Sequence, residues 1–189
     1  MERHRAIKNF GDLPFRHLLA GLVSLLTTAV VWGCATQSVV QPQHAFSPTK
    51  HRTIWVEQCI DRSAFQGSRD IAKEATETLV SKVKANELFE YTKEASLVLT
   101  CEIEGFVEGS ALQRWLLPGW GATEAKVAVV VWEKPGDKIL LTLRSYSTVK
   151  SGGLYTIGAD QYILGVAMDD IVGQLESWAR GNEAVDPKN

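Results

Sequence analysis

Residues 122–149 read ATEAKVAVVVWEKPGDKILLTLRSYSTV, and this stretch decides the fold. Val127, Val129 and Val131 occupy alternate positions, so they share one face of a strand over 122–134. Pro135, Gly136 and Asp137 supply the turn, and 138–149 returns as the hairpin partner. In the return strand Ile139, Leu141 and Leu143 alternate with Leu140, Thr142 and Arg144. A hairpin with one apolar face needs a cover.

The flanking sequence supplies both more sheet and that cover. Residues 95–106 form a further strand, with Leu97, Leu99, Cys101 and Ile103 set against Thr100, Glu102 and Glu104. Residues 53–58 are β-branched and aromatic and read as a strand; 88–92 read as a shorter one. A helix is expected to start near Ser63 or Ser68, carrying Ile71, Ala75, Leu79 and Val83 at i, i+4 steps and ending near Asn86. Asp70 and Glu74 early and Lys82 and Lys84 late suit its dipole. Residues 151–155 break the strand pattern. A second helix follows from Asp160 as N-cap, with Leu164, Met168, Ile171, Leu175 and Trp178 on one stripe and Gly181 at its end. The expected architecture is α+β in the order β-α-β-β-β-α. It is an antiparallel sheet of about four strands with two helices packed on one face.

Before this domain, LLAGLVSLLTTAVVWGC (18–34) follows Arg3, Arg5, Lys8 and Arg16, with only Glu2 and Asp12 against them. A positive leader, an apolar run and a small residue before the cleavage point make a signal peptide. The apolar run over 18–32 is short for a span, which needs about 20 residues. Val31, Gly33 and Cys34 resemble the lipobox of bacterial lipoproteins. The resemblance implies that Cys34 is the lipidation site, acylated and made the first residue of the mature chain. Ala35 follows, where lipoproteins kept at the inner membrane tend to carry Asp. The resemblance therefore implies a periplasm-facing position on the outer membrane, with the inner membrane as the alternative. Two or more acyl chains hold a protein stably where one does not.

The domain reading is a leader over 1–33, a lipidated Cys34 and flexible tether over 34–52, a folded domain over 53–181, and a disordered tail over 182–189. The tether is assigned on Pro42, Pro48 and a lack of periodicity. Without the leader, 16 Lys and Arg stand against 20 Asp and Glu, a formal charge of −4. That balance carries no footprint for nucleic acid.

Of the remaining cysteines, Cys59 is out of phase with Ile54 and Val56 on its strand, whereas Cys101 is in phase on its own. Two structural thiols are expected rather than a disulfide, unless the chain bends after Val56. His44 and His51 lie in the tether, so 53–181 holds no histidine. That excludes Ser-His and Cys-His nucleophile schemes and most zinc sites. Glu102 and Glu104 share a strand face, and Asp169 and Asp170 a helix surface; both pairs read as solvated charges. No catalytic residue, metal or cofactor is expected.

The loop over 105–121 carries Arg114, Trp115, Leu116, Leu117 and Trp120. The favoured reading folds it back to close the sheet. The sharper one makes Arg114, Trp115 and Trp120 a partner-contact surface, since exposed apolar patches mark contacts. Gly165 and Gly173 lie eight apart on the second helix. They read as close packing against the sheet, or alternatively as a subunit contact.

The run ASLVLTCEIEGFVEGS, then Arg114, GWGATEAKVAVVVW, ILL and SGGLY resembles a family of uncharacterised bacterial lipoproteins, domain of unknown function 4410. Its features fall on Phe106, Gly109, Ser110, Arg114, Gly119, Gly121, Gly152 and Gly153. The resemblance implies no enzymatic activity. The expectation is a non-enzymatic, lipid-anchored envelope lipoprotein that binds or organises another envelope component through a protein partner or self-association. An oligomeric secretion or pore-accessory subunit is the second reading. A cell-wall or polysaccharide hydrolase is the third.

Overall fold

The computed structural model describes residues 34–47, 50–117, 120–150 and 156–181. The leader, Pro48, Gly119, the break at 151–155 and the tail over 182–189 lie outside them. The chain divides into Met1–Gly33 and Cys34–Asn189, and every described residue belongs to the second unit. In chain order its elements are β1 (Cys34–Pro42), β2 (Thr53–Val56), β3 (Ile60–Asp61), α1 (Ile71–Ala85), β4 (Glu90–Tyr91), β5 (Leu97–Val107), α2 (Ala111–Leu116), β6 (Thr123–Glu133), β7 (Lys138–Val149) and α3 (Ala159–Ala179).

The β6–β7 hairpin forms as its alternation demands, with Val129 opposite Leu143 and Val131 opposite Leu141. On its other side β6 pairs antiparallel with β5, setting Cys101 opposite Val129. A bulge at Glu104 shifts the phase by one residue, so that Phe106 turns inward beside Ala125. These rows form one core with Ile71, Ala75, Leu79 and Val83 of α1 and the Leu164–Trp178 stripe of α3. The two helices are tied to each other by Lys82 with Asp169 and by Asn86 Nδ2 donating to Glu176 Oε1 at 2.7 Å.

The expected four-stranded antiparallel sheet is corrected to a mixed sheet of seven strands among the described residues, in the order β1-β7-β6-β5-β2-β4 with β3 beside β5. Two physical reasons account for the difference. First, β2 reaches β5 through α1, and a helical crossover brings the strand back parallel. Second, residues 34–42, expected as tether, pair antiparallel with β7 along their whole length. The edge of β7 offers backbone donors and acceptors, which bond a polar strand as well as an apolar one.

Other described residues of the expected tether are also docked. Gln43 and His44 donate their amides to Leu140 O. Trp178 Nε1 donates to His44 O at 3.0 Å. His51 is buried, stacked on Trp178 and close to Phe46. Its Nδ1 accepts from Ser47 N at 3.0 Å, so the ring proton sits on Nε2 and faces Glu133 Oε1 at 3.3 Å.

Cys59 and Cys101 are joined in a disulfide, which overturns the two-thiol expectation. The bend after Val56 explains it. Val56 pairs with Leu99 and Ile60 with Glu102, so this strand uses one residue more than its partner and its phase flips. Cys59 thereby reaches the core face. The first helix starts at Ile71, later than Ser63 or Ser68, with Asp70 accepting from Lys73 N. Ser63 is instead committed to a turn on Asp61. The last helix starts at Ala159 with Gly158 in the left-handed region (φ +79°) as its cap, not Asp160. No helix among the described residues is long and apolar enough to cross a membrane.

Candidate functional site

The end of the sheet where β5 stops and β6 begins gathers most of the exposed large hydrophobic side chains among the described residues. Ser110 caps α2, its side chain accepting from Gln113 N. One turn of helix then places Leu112, Trp115 and Leu116 at i, i+3 and i+4 on one side and Arg114 on the other.

Arg114 points inward and is buried. Its Nη1 donates to Gly121 O at 2.7 Å and Thr123 Oγ1 at 2.8 Å. Its Nε and Nη2 donate to Oγ1 and O of Thr156 at 3.1 and 2.9 Å. The side chain therefore ties α2 to the start of β6 and to the approach to α3. Thr123 Oγ1 also accepts from Gly109 N, and Ser110 N donates to Gly121 O. A Cβ on Gly109 would meet Gly121 O at 2.2 Å, so only glycine allows the two loop ends to close. Gly109, Ser110, Arg114 and Gly121 thus form one bracket.

The bracket holds apolar side chains out. Leu112, Trp115, Leu116, Leu117 and Trp120 are 51–66% exposed, and Ile157 beside Thr156 is 67% exposed. The favoured expectation that this loop closes the core is corrected: one buried arginine replaces the apolar plug. Of the three contact residues, Trp115 and Trp120 are on the surface, and Arg114 supports them from within. Leu112 and Ile157 extend the patch. The i, i+3, i+4 spacing of Leu112, Trp115 and Leu116 carried that signal.

A second bracket stands at the same end. Arg69 Nη2 contacts both Glu74 carboxylate oxygens at 2.6 and 2.8 Å, and Nη1 reaches Glu108 and Asp160 at 3.4 Å each. Its hydrogen bond to Glu74 raises the guanidinium pKa further, so it stays charged throughout.

The other singled-out groups do not converge. Glu102 faces Arg62 and Glu104 faces Arg144, each pair exposed. Asp170 accepts from Ser38 and Gln174. Among the described residues no three His, Cys, Asp or Glu side chains are grouped to hold a metal ion. A shallow, open hollow on the uncovered sheet face is lined by Glu57, Val98, Thr100, Trp132, Lys134 and Asp137. A Cβ on Gly165 or Gly173 would meet nothing within 4 Å, so neither glycine is explained by packing against the sheet.

The family model described as a domain of unknown function, DUF4410, matches residues 56–153, just over half of the chain. The chain belongs to this family. The match takes in the bracket from Gly109 to Thr123, so the family stretch of this DUF4410 member includes the loop described above. No curated protein sequence matches it. Among solved structures, it is similar to the PelC dodecamer from Paraburkholderia phytofirmans at 9% identity and TM-score 0.49, covering 72% of this chain and 97% of that one. The hypothetical protein CT253 from Chlamydia trachomatis is 13% identical with TM-score 0.49, over 69% of this chain and 99% of that one. Lipoprotein GNA1162 from Neisseria meningitidis is 9% identical with TM-score 0.41, over 67% and 99%.

Proposed function

We propose that this chain is a bacterial lipoprotein, anchored by acylation of Cys34 on the periplasmic side of the outer membrane. Its folded domain, without enzymatic activity of its own, binds or organises another envelope component. The observation that carries the reading is where the folded unit begins. The unit that contains every described residue starts at Cys34, the residue at which the leader and its small-residue junction place the cut. A site in the leader's apolar run or inside β1 would have argued against it. The arginine-braced apolar surface supports a position against the envelope, because it is held exposed.

Metabolic labelling with a palmitate analogue tests the anchor. Wild-type chain is expected to take up label and to sediment with outer membranes; Cys34→Ser is expected to lose both. Crosslinking in intact envelopes, followed by mass spectrometry of what accompanies the wild type but not Cys34→Ser, tests the partner. One abundant component supports the binding reading. Turnover of a wall or polysaccharide substrate by the purified domain would overturn the non-enzymatic part.

Self-association is the second reading. Gly165 and Gly173 each weaken a helix by about 1 kcal/mol relative to alanine. In the single chain no contact offsets that cost. A discrete multimer in mild detergent, lost in a Gly165→Leu variant that still folds, would favour it over a separate partner.

A further inference from the structure

The apolar patch and the point of attachment lie at the same end of the molecule. Cys34 pairs with Val149, and Val149 also pairs with Thr123. Thr123 is the residue whose hydroxyl accepts from Arg114, which braces α2. Cys34 and Thr123 are therefore two strand spacings apart in one row, about 10 Å. No slack separates the attachment from the fold, because pairing begins at Cys34 itself.

We propose that the surface formed by Leu112, Trp115, Leu116, Leu117 and Trp120 seats on the bilayer that holds the chain's own lipid anchor. The occupant is a phospholipid surface, and the inference rests on the lipidation of Cys34. Ten large hydrophobic side chains are exposed among the described residues. Five of them fall between 112 and 120, and Val107 and Ile157 flank the same end. The opposite end, at the turn after Glu133, has none among the described residues. A short helix with leucine and tryptophan on one face suits the boundary between headgroups and acyl chains, where the indole ring is both apolar and able to donate. Several charges at this end are engaged within the protein. Glu108 and Asp160 lie against Arg69, and Arg114 is turned inward. Acyl chains alone would leave the domain free to swivel; a second contact two strands away fixes which face it presents to the periplasm.

The chemistry of the chain makes the test clean. Cys34 carries the acyl group and Cys59 is bonded to Cys101, so an introduced cysteine is the one free thiol. Full-length protein with Leu116→Cys, labelled with an environment-sensitive NBD fluorophore, is reconstituted into phosphatidylethanolamine–phosphatidylglycerol vesicles containing a doxyl-labelled phospholipid. Asp137→Cys, at the far turn, is the control. The expected result is a blue-shifted emission at position 116 that the doxyl lipid quenches, with the emission at 137 unshifted and unquenched. Protein that floats with the vesicles but shows a water-exposed, unquenched label at 116 overturns the seat and leaves the anchor standing. A blue shift without quenching also overturns it and points to a protein surface there. Failure to float, with no quenching at 116, overturns both seat and anchor.

Discussion

Two segments of this molecule sit where their composition does not suggest. Residues 34–52 are polar and run ATQSVVQPQHAFSPTKHR after the cysteine, yet their described part is held along the edge of β7 and under Trp178. Residues 112–120 are among the most apolar in the domain, yet their described apolar side chains stand in solvent. The first shows that a strand edge recruits backbone: antiparallel pairing is indifferent to side-chain polarity. The second shows that apolar side chains stay out only when something rigid occupies the space behind them. Here that is a guanidinium with four hydrogen bonds to neutral oxygens.

The contrast can be broken from either side. The largest effect is expected from Trp178→Ala, which removes the ring over His51 and Phe46 and the donor to His44 O. A loss of about 4 kcal/mol is expected. Hydrogen exchange should show residues 43–52 losing protection first. Arg114→Ala follows at about 3 kcal/mol, because buried acceptors on Thr123, Gly121 and Thr156 lose a charged donor. At this chain length that is a fall of about 6–12 °C in Tm by circular dichroism. Lysine should not rescue it, since one ammonium cannot reproduce the planar fork.

A smaller effect is set by pH. The His51 hydrogen bond holds the Glu133 carboxyl below its ordinary value near 4.5, helped by Lys138 and Lys50. Its contribution to stability is therefore complete above that pH. It is lost as pH falls through the lower folded value. Urea titrations across this range should show an acid limb that flattens in Glu133→Gln. The smallest effect is expected from Trp115→Ala, within about 0.5 kcal/mol of wild type, since the side chain is 59% exposed. A large loss there would show that the loop is core after all.

What could be read in the chain follows the reach of each signal. The β6–β7 hairpin, β5 and the apolar stripes of both long helices are local periodicities, and each is where its spacing places it. β1 was hidden because its partner lies more than a hundred residues away. Thr36, for example, meets Ser147 across a separation of 111. The alternation of Thr36, Ser38 and Val40 was its one local trace, interrupted by Pro42. The disulfide was hidden by a single extra residue between Val56 and Ile60, which reverses the phase without changing composition. At the candidate site the residue types were visible but not their direction. An arginine among tryptophans gives no sign of facing inward until Thr123 and Thr156 are brought behind it.

The strand that begins at Cys34 also has a mechanical consequence. It runs in register with β7 over nine residues, and its first residue is the proposed point of attachment. If the membrane lies beyond that end of the sheet, as proposed, a pull between bilayer and domain would act along the strand axis. It loads the whole ladder in shear at once, rather than peeling it bond by bond. Under the proposed attachment, force would reach the domain through the β1–β7 ladder in shear.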